Sequence, residues 1–375
     1  MKRHPSIRRR RSAEAAAVPN QKLLFLGGIL LLAILVFLYL VFFTNLFRKD
    51  PNLTRLDITN NTSVYTADGS ALYYLEGSTL HRINPAGSRI WVSKYSSGKM
   101  ELQVGAQILC LYNADTATVL DSNKTPLFNI PASDFKIDRV TCGKNTLAML
   151  CSMADSDKNY LRVFSNAGTE LDRIEIAASS FLDFGFFGES DNFWYMTLDT
   201  SGAEPISRIT TTLPTQQKIT GLYEIYGQLV SNVNFVGSDA YVSTTSSLIA
   251  YDTFGEIFFE KMIYGSQLAD SLLVKDTLYQ AYVPQSGIAS DSATLRVLSS
   301  AGLDTLILLP SGVEHVALSE KYVYCFSKNV IYLYNYNGEF LRSISLDFEI
   351  TAFSKLYKNL ILLRGAEDSY LFSLS

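Results

Sequence analysis

The sequence repeats one short pattern: an apolar run, a turn that ends in glycine, and a second apolar run. Two clear copies are Tyr160–Ile176 (YLRVFSNAGTELDRIEI) and Val330–Leu346 (VIYLYNYNGEFLRSISL). Further turns of this kind end at Gly87, Gly255 and Gly302. Glycine suits the positive φ that tight hairpin turns require. The pattern therefore indicates hairpins that recur along most of the chain.

Weaker copies at Ala117–Ile130 and Ile206–Ile219 fill the two longest gaps and set a period of about 36–47 residues. In the clearest period, four short runs rich in β-branched and aromatic residues read as strands: His315–Leu318, Tyr322–Ser327, Val330–Asn335 and Phe340–Leu346. A four-stranded unit of about 40 residues is typical of a β-propeller blade, as in PQQ-like or WD40-like repeats. A β-sandwich or barrel is the alternative, but neither requires a fixed period.

The repeats predict an all-β, eight-bladed β-propeller, with a count of seven left open. Complete units begin near Thr62, Met100, Lys136, Phe181, Leu229, Gln267 and Val313. The eighth has only three strands before the chain ends: Ile350–Ser354, Asn359–Arg364 and Ser369–Leu374. We expect Leu53–Thr59 to supply the missing outer strand and close the last blade.

A basic segment and an apolar segment precede the repeats. The first 22 residues carry seven Lys and Arg residues and one acid, Glu14, and Leu23–Phe43 contains no charged residue. That run is long enough to span a bilayer and longer than the apolar part of a cleaved signal peptide. The positive-inside rule explains the RRRR run more simply than nucleic-acid binding does. We therefore expect a transmembrane signal anchor, with the N-terminus cytoplasmic.

This interpretation divides the chain into a cytoplasmic tail (1–22), one transmembrane helix (23–43), a linker (44–52) and an extracytoplasmic propeller (53–375). The expected location is the plasma membrane, as a single-pass protein.

Motifs for catalysis, cofactors or metals are missing from the sequence, and we predict no such residues. His4, His81 and His315 are far apart, and no nucleotide-loop or nucleophile-elbow motif occurs. Asp155 and Asp157 form a fragment of a calcium-loop pattern, which is more typical of a solvated hairpin loop. The many carboxylates of the propeller leave a glycosidase pair open.

The four cysteines are expected to be free, buried thiols. Cys110, Cys151 and Cys325 fall in the second strands of their blades, and Cys142 falls in a first strand. Two disulfides are the alternative in an oxidising compartment. Equivalent positions of separate blades are, however, too far apart to be bridged.

Long connections are predicted on one face of the propeller. Three connect strands 2 and 3 of a blade (Ser152–Asn159, Asp199–Glu204 and Pro284–Ser292), and Gly221–Gln228 is interpreted as a link between blades. Within that link, Tyr223 and Tyr226 are the best contact candidates, joined by Asp155 and Asp157. We expect the opposite face, where Leu53 starts, to lie towards the membrane because Thr44–Asn52 is a short tether.

Eight four-stranded units with one strand supplied from the N-terminus resemble the eight-bladed PQQ-like propellers, including the outer-membrane assembly lipoprotein of that class. A basic tail, one span and such repeats are together similar to a bacterial membrane-anchored family of unknown function. The chain departs from the PQQ-like pattern in its tryptophan docking motif, since it has only Trp91 and Trp194.

The resemblance implies a binding or scaffold module of the cell envelope, with a protein or glycan partner and no nucleic acid. No cofactor is expected. A carbohydrate-active hydrolase or lyase that uses carboxylates of the propeller channel is one alternative, and an envelope sensor is another.

Overall fold

The computed structural model describes residues 30–32, 34, 36, 52–59, 61–95, 98–153, 156–177, 180–187, 190–285 and 293–374. Asn52–Ser375 forms one compact unit and Met1–Pro51 another. Among the described residues, no helix is long and apolar enough to cross a membrane. Most of the predicted span Leu23–Phe43, and all of the predicted cytoplasmic tail, lie outside the described residues.

The described part of Asn52–Ser375 folds into eight antiparallel sheets of four strands, which we call blades. The first strand, β1 (Leu53–Leu56), belongs to the last blade. Blade 1 contains β2 (Val64–Tyr65), β3 (Leu72–Glu76), β4 (Thr79–Ile83) and β5 (Arg89–Lys94). Blade 2 contains β6 (Glu101–Val104), β7 (Ile108–Asn113), β8 (Thr116–Asp121) and β9 (Pro126–Pro131). Blade 3 contains β10 (Lys136–Cys142), β11 (Thr146–Ser152), β12 (Lys158–Ser165) and β13 (Glu170–Ala177).

Blade 4 contains β14 (Phe181–Phe186), β15 (Phe193–Asp199), β16 (Ile206–Leu213) and β17 (Lys218–Tyr226). Blade 5 contains β18 (Val230–Val236), β19 (Asp239–Thr244), β20 (Ser247–Tyr251) and β21 (Ile257–Met262). Blade 6 contains β22 (Ser266–Val274), β23 (Thr277–Pro284), β24 (Thr294–Ser299) and β25 (Asp304–Leu308). Blade 7 contains β26 (Val313–Leu318), β27 (Tyr322–Ser327), β28 (Val330–Asn335) and β29 (Phe340–Ser345). Blade 8 contains β30 (Ala352–Tyr357), β31 (Leu360–Arg364) and β32 (Ser369–Ser373), and β1 pairs with β32 as its fourth strand.

The sheet order confirms the predicted eight-bladed propeller and its closure by the N-terminal strand. In the register of β1 and β32, Leu53 lies opposite Phe372 and Leu56 opposite Ser369. The amide of Ser373 also donates to the carbonyl of Asn52 at 2.8 Å. Leu56 is only 2% exposed, because it packs in the core between blades 8 and 1. The strand therefore seals a core as well as an edge.

The hydrophobic core lies between the blades, because successive side chains of a strand point to opposite faces of the sheet. In β27, Val323 and Cys325 pack against blade 6, whereas Tyr324 and Phe326 pack against blade 8. Middle strands are buried on both faces for this reason and read as continuous apolar runs. The fourth strands form the exposed outer edge of the ring.

Four of the five predicted glycine turns, all except the one at Gly302, lie against the blade before their own. Gly168 has a φ of +81°, and a Cβ added there would lie 2.9 Å from Cγ of Phe128 in β9. Gly338 has a φ of +86°, and its Cβ would lie 3.2 Å from Cγ2 of Thr305 in β25. Both turns thus need glycine for backbone conformation and for close approach to a neighbouring outer strand.

The connections divide the ring into two faces. Loops between strands 2 and 3 and links between blades emerge on one side, the long-loop face, and the other connections emerge on the turn face. The predicted placement of Ser152–Asn159 and Asp199–Glu204 between second and third strands is confirmed. Pro284–Ser292 also joins a second and a third strand, although residues 286–292 lie outside the described residues.

The interpretation of Gly221–Gln228 as a link between blades is wrong, because β17 continues to Tyr226. Gly221 lies inside this strand opposite Thr211, and a Cβ there would come within 2.8 Å of the Thr211 hydroxyl oxygen. Its glycine permits close packing within the sheet. The turn is made instead by Gly227, whose φ is +68°.

The cysteines occupy the predicted strands, and all four are free thiols. Burial raises the pKa of Cys142, Cys151 and Cys325 to about 12, and it raises the pKa of Cys110 as well. These thiols are therefore protonated and shielded, as expected for side chains that fill the packing between blades.

Candidate binding face

Three pockets open on the long-loop face, each where neighbouring blades meet. We name them by position: the blade 1–2 pocket of about 1110 Å³, the blade 2–3 pocket of about 540 Å³ and the blade 3–4 pocket of about 590 Å³. Their walls come from strand ends and from the connections of that face. The pockets follow one another around half of the ring, so they form one interrupted surface.

The blade 1–2 pocket is lined by polar residues together with apolar ones such as Leu75 and Met100. The connection from β1 to β2 contributes Thr59 and Thr62, and their hydroxyl groups share a hydrogen bond of 2.5 Å. Glu76 and Glu101 add carboxylates on two sides. Glu101 accepts a hydrogen bond of 2.6 Å from the Tyr112 hydroxyl, which fixes its side chain. The pocket thus presents oriented acceptors to a ligand.

The blade 2–3 pocket combines aromatic and guanidinium groups. Arg162 lies over the Phe135 ring at 4.8 Å from the centroid, and both residues line the pocket. Arg162 and Arg173 both donate to Glu170, at 2.5 and 2.6 Å for their shortest contacts. Burial alone would raise the pKa of Glu170, but hydrogen bonds from Arg173 and Arg162 lower it to about 2. The two arginines are consequently held in place by an ionised carboxylate.

The blade 3–4 pocket is bounded by Glu175, Asp199 and Arg208. Hydrogen bonds from Ser201 lower the pKa of Asp199, and the hydrogen bond from Lys158 lowers the pKa of Glu175. Arg208 donates to Glu224 at 2.8 Å. All of these charged groups lie at the surface, so the pocket offers an ionised rim.

The connections of the long-loop face are predominantly acidic. Their described carboxylates are Asp57, Asp115, Asp134, Asp157, Glu204, Asp347, Glu349, Glu367 and Asp368, and their described basic residues are Lys99 and Lys328. The connections of the turn face are more balanced, with Lys124, Lys144, Lys275, Lys321 and Lys358 against Asp68, Asp191, Asp252, Glu256, Asp276, Glu320 and Glu339 in the described ranges. The long-loop face therefore attracts positive charge.

Tyr226, one of the predicted contact residues, lies beside the blade 3–4 pocket. Its ring is 54% exposed at the end of β17, and its hydroxyl donates to Glu224 at 2.7 Å. Because Glu224 in turn binds Arg208, the pocket rim and Tyr226 belong to one hydrogen-bonded cluster.

Tyr223 is buried, whereas its prediction as a contact residue assumed an exposed aromatic side chain. It is 2% exposed and packs in the core between blades 4 and 5, with its ring 5.5 Å from that of Tyr251. The alternation along β17 turns Tyr223 inwards, so this tyrosine serves packing. Asp157 is exposed in the loop between β11 and β12, and Asp155 lies outside the described residues.

The two described histidines, His81 and His315, are structural groups of different blades. His81 stacks on Tyr74 with ring centroids 4.6 Å apart, and His315 stacks on Phe353 at 4.8 Å. Burial lowers the pKa of both. Within the ranges that the structure describes, no group of three or more His, Cys, Asp or Glu residues could hold a metal ion.

First strands from different blades meet around the ring axis. The Arg139 guanidinium in β10 binds Asp183 in β14 at 2.5 Å, and Ser271 in β22 donates to Asn234 in β18 at 3.0 Å. These contacts line the channel with paired polar groups.

A buried ion pair joins the first strands of the consecutive blades 6, 7 and 8. Lys355 in β30 binds the carboxylate of Asp270 in β22, which also accepts a hydrogen bond of 2.7 Å from the Leu318 amide in β26. Burial raises the pKa of Asp270 despite the opposing effect of Lys355. This carboxylate has its own partners and links the blades.

The order of the strands, the interblade cores and the ring of first strands together define an eight-bladed β-propeller. No protein-family model and no curated protein matches the sequence.

Solved structures share the architecture at low sequence identity. BamB from Moraxella catarrhalis has a TM-score of 0.53 at 10% identity, covering 86% of this chain and 100% of that one. The WD40 domain of SCAP from fission yeast has a TM-score of 0.57 at 8% identity, covering 86% and 97%. A eukaryotic initiation factor has a TM-score of 0.53 at 8% identity, covering 78% and 90%. At such identities the likeness establishes the propeller fold.

Sequence reasoning missed the pockets. The blade 2–3 and blade 3–4 pockets are each assembled from the end of one blade's outer strand and a loop of the next blade, and the blade 1–2 pocket combines two links between blades with a loop of blade 1. In every case these segments are separated by tens of residues. The signal that could have located them is the combination of arginine with aromatic residues near strand ends, as in Phe135 and Arg162.

Proposed function

We propose that this protein is a membrane-anchored, extracytoplasmic propeller that acts as a binding scaffold of the cell envelope, and that its long-loop face receives a protein partner. The uncharged run Leu23–Phe43 and the basic residues before it support the anchor. The observation that carries the binding role is the series of three pockets on one acidic face.

A protein suits this surface better than a small substrate. The pockets are separate and have charged rims, and the described residues contain no group of metal ligands. An extended or loop-bearing partner can place basic and aromatic side chains in successive pockets. Because the face is acidic, the matching surface of the partner is cationic.

The catalytic alternative lacks a suitable acid in the blade 3–4 pocket. A glycosidase needs one carboxylic acid that remains protonated while a second carboxylate is ionised. Hydrogen bonds lower the pKa of both Glu175 and Asp199, so both act as anions at neutral pH. The buried carboxyl of the channel, Asp270, is occupied by Lys355 and a backbone amide.

Site-specific photocrosslinking in intact cells tests the binding face. A benzoyl-phenylalanine placed at Tyr226 is expected to give a discrete protein adduct, and Asp199→Lys should reduce that adduct at least tenfold because it puts positive charge on the acidic face. The same probe at Asn337, on the turn face, is the matched control. An adduct that is equally strong at Asn337 and insensitive to Asp199→Lys would contradict the proposed face.

A reporter fusion tests the anchoring. We expect a reporter enzyme that works only outside the cytoplasm to be active when it is fused after Ser375. Deletion of residues 1–43 should release the propeller from the membrane fraction. A cytoplasmically active reporter would contradict the topology.

A further inference from the structure

One exposed aromatic residue has no role within the propeller. Phe254 lies in the tight turn between β20 and β21 and is 89% exposed. Its backbone amide donates to the Asp252 carboxylate at 2.8 Å, a bond that any residue could make. In the other complete blades, the residue before the positive-φ position is small or polar: Ala86, Asn123, Ala167, Gln216, Ala301 and Asn337.

Phe254 is one of five exposed apolar residues in the turn of blade 5 and the two neighbouring outer strands, which we call the blade 5 tip: Ile219, Leu222, Phe254, Ile257 and Phe258. All five side chains are at least half exposed, from 51% for Leu222 to 89% for Phe254. The turn of blade 5 lies directly on β17, since a Cβ at Gly255 would be 3.3 Å from the Leu222 carbonyl oxygen. The blade 5 tip therefore joins the outer edges of blades 4 and 5 at the turn face.

The place where the chain enters the propeller indicates what covers the blade 5 tip. Leu53 lies opposite Phe372, near the end of β32, and therefore at the turn face. The segment between Phe43 and Leu53 spans at most about 30 Å at 3.3–3.6 Å per residue. If Leu23–Phe43 crosses the bilayer, Leu53, which starts at the turn face, is held within that distance of the lipid surface.

We propose that the blade 5 tip inserts into the surface of the phospholipid bilayer, with Phe254 as its deepest residue. This proposal rests on the anchoring proposed above. Aromatic and aliphatic side chains at a protein edge bind the boundary between headgroups and acyl chains by burial of apolar area. Asp252, Glu256 and Glu260 lie beside these residues and outnumber Lys218, so attraction to anionic lipid does not drive the contact. Insertion should accordingly occur on zwitterionic lipid and be insensitive to salt.

Spin labelling of the full-length chain in phosphatidylcholine vesicles tests the insertion. A nitroxide at Phe254→Cys is compared with one at Ala167→Cys, the equivalent exposed turn position of blade 3. In its described outer strand, blade 3 has no exposed large apolar side chain. The native cysteines interfere little, because three of them are buried, Cys142 is partly buried, and all four thiols have raised pKa values.

We expect the label at 254 to be relaxed by oxygen at least threefold more than by a water-soluble nickel complex, and the label at 167 to show the reverse. The result should be the same at 0.05 and 0.5 M salt. Equal nickel accessibility at both positions would overturn the proposal, and so would strong dipolar coupling between labels at 254, which would indicate contact between two copies.

Flotation of the same vesicles separates the two proposals. A chain that floats while its label at 254 is exposed to water retains the anchor and loses the insertion. A chain that does not float refutes the anchoring and the insertion that depends on it.

Discussion

At the scale of single residues, glycine has two different structural roles in this protein, and only one of them can be recognised from the sequence. Gly168 and Gly302 both occupy positive-φ turn positions, with φ of +81° and +94°. A Cβ at Gly168 would strike Phe128 of the preceding blade, whereas a Cβ at Gly302 would meet nothing within 4 Å. The local sequence predicts the turn, but it does not indicate which blade the turn contacts.

These two glycines make a matched pair for mutation. Gly302→Ala should lower the free energy of unfolding by about 1–2 kcal/mol, because an L-residue is strained at positive φ. Gly168→Ala adds overpacking against Phe128 and should cost about 2–5 kcal/mol. Chemical denaturation of both variants measures the difference in their free energies of unfolding. Equal decreases would show that the contact between the blades does not contribute to stability.

Glu170 predicts an acid-sensitive step in stability. Its pKa is about 2 in the folded protein, below the ordinary value of 4.5, because Arg173 and Arg162 donate to its carboxylate. A lowered pKa stabilises the folded state above about pH 4.5, and the stabilisation is lost as the pH falls towards 2. Glu170→Gln should therefore flatten the fall of melting temperature between these pH values. If the melting temperature of this variant falls with pH as steeply as that of the parent, other carboxylates cause the acid sensitivity.

At the scale of elements, the sequence predicted strands well where apolar runs and turn residues agreed. The strands of blade 7 lie close to the predicted runs, and the first strands of blades 1–7 begin within two residues of the predicted starts. The prediction failed at β17, because Gly221 resembles a turn residue but is buried against Thr211 and Tyr223. A glycine required for packing cannot be distinguished from a turn glycine without its neighbours in space.

The closing strand β1 supplies the prediction at this scale. A chain that begins at Thr62 loses the cover of β32 and the buried Leu56, so it should unfold at a clearly lower temperature than one that begins at Pro51. Within the intact chain, Leu56→Ala should cost about 2–5 kcal/mol, since it empties a site in the core between blades 8 and 1.

Arg55→Ala is the matched control in β1. Its side chain is 69% exposed and bound to Asp368, so its loss should change stability by about 0–1 kcal/mol. Calorimetry on the three variants and the parent separates strand pairing from core packing. Similar melting temperatures for the chains that begin at Thr62 and Pro51 would refute the closure by β1.

At the scale of the whole molecule, the blades are joined by contacts of two kinds. The ring is closed by the pairing of β1 with β32, whereas the ion pair of Asp270 with Lys355 links the first strands of blades 6 and 8. The side chains of this pair are 10% and 18% exposed, in contrast to the half-exposed pair Arg139 and Asp183 between blades 3 and 4. Sequence analysis predicted the closure by β1 from a missing strand. The ion pair joins residues 85 positions apart and has no local sequence signature.

The ion pair between blades 6 and 8 gives the last prediction. Lys355→Met leaves the Asp270 carboxylate buried without its cation and should lower the free energy of unfolding by about 3–5 kcal/mol. Adding Asp270→Asn removes the uncompensated charge while the amide oxygen still accepts from Leu318, so the double variant should recover most of that loss. The corresponding change in the exposed pair, Arg139→Met, should cost about 0–1 kcal/mol. Urea denaturation of the parent, the single variants Lys355→Met and Asp270→Asn, their double variant and Arg139→Met completes the comparison. If Lys355→Met is no worse than Arg139→Met, or if the double variant is as unstable as the sum of its single changes, the ion pair does not couple blades 6 and 8.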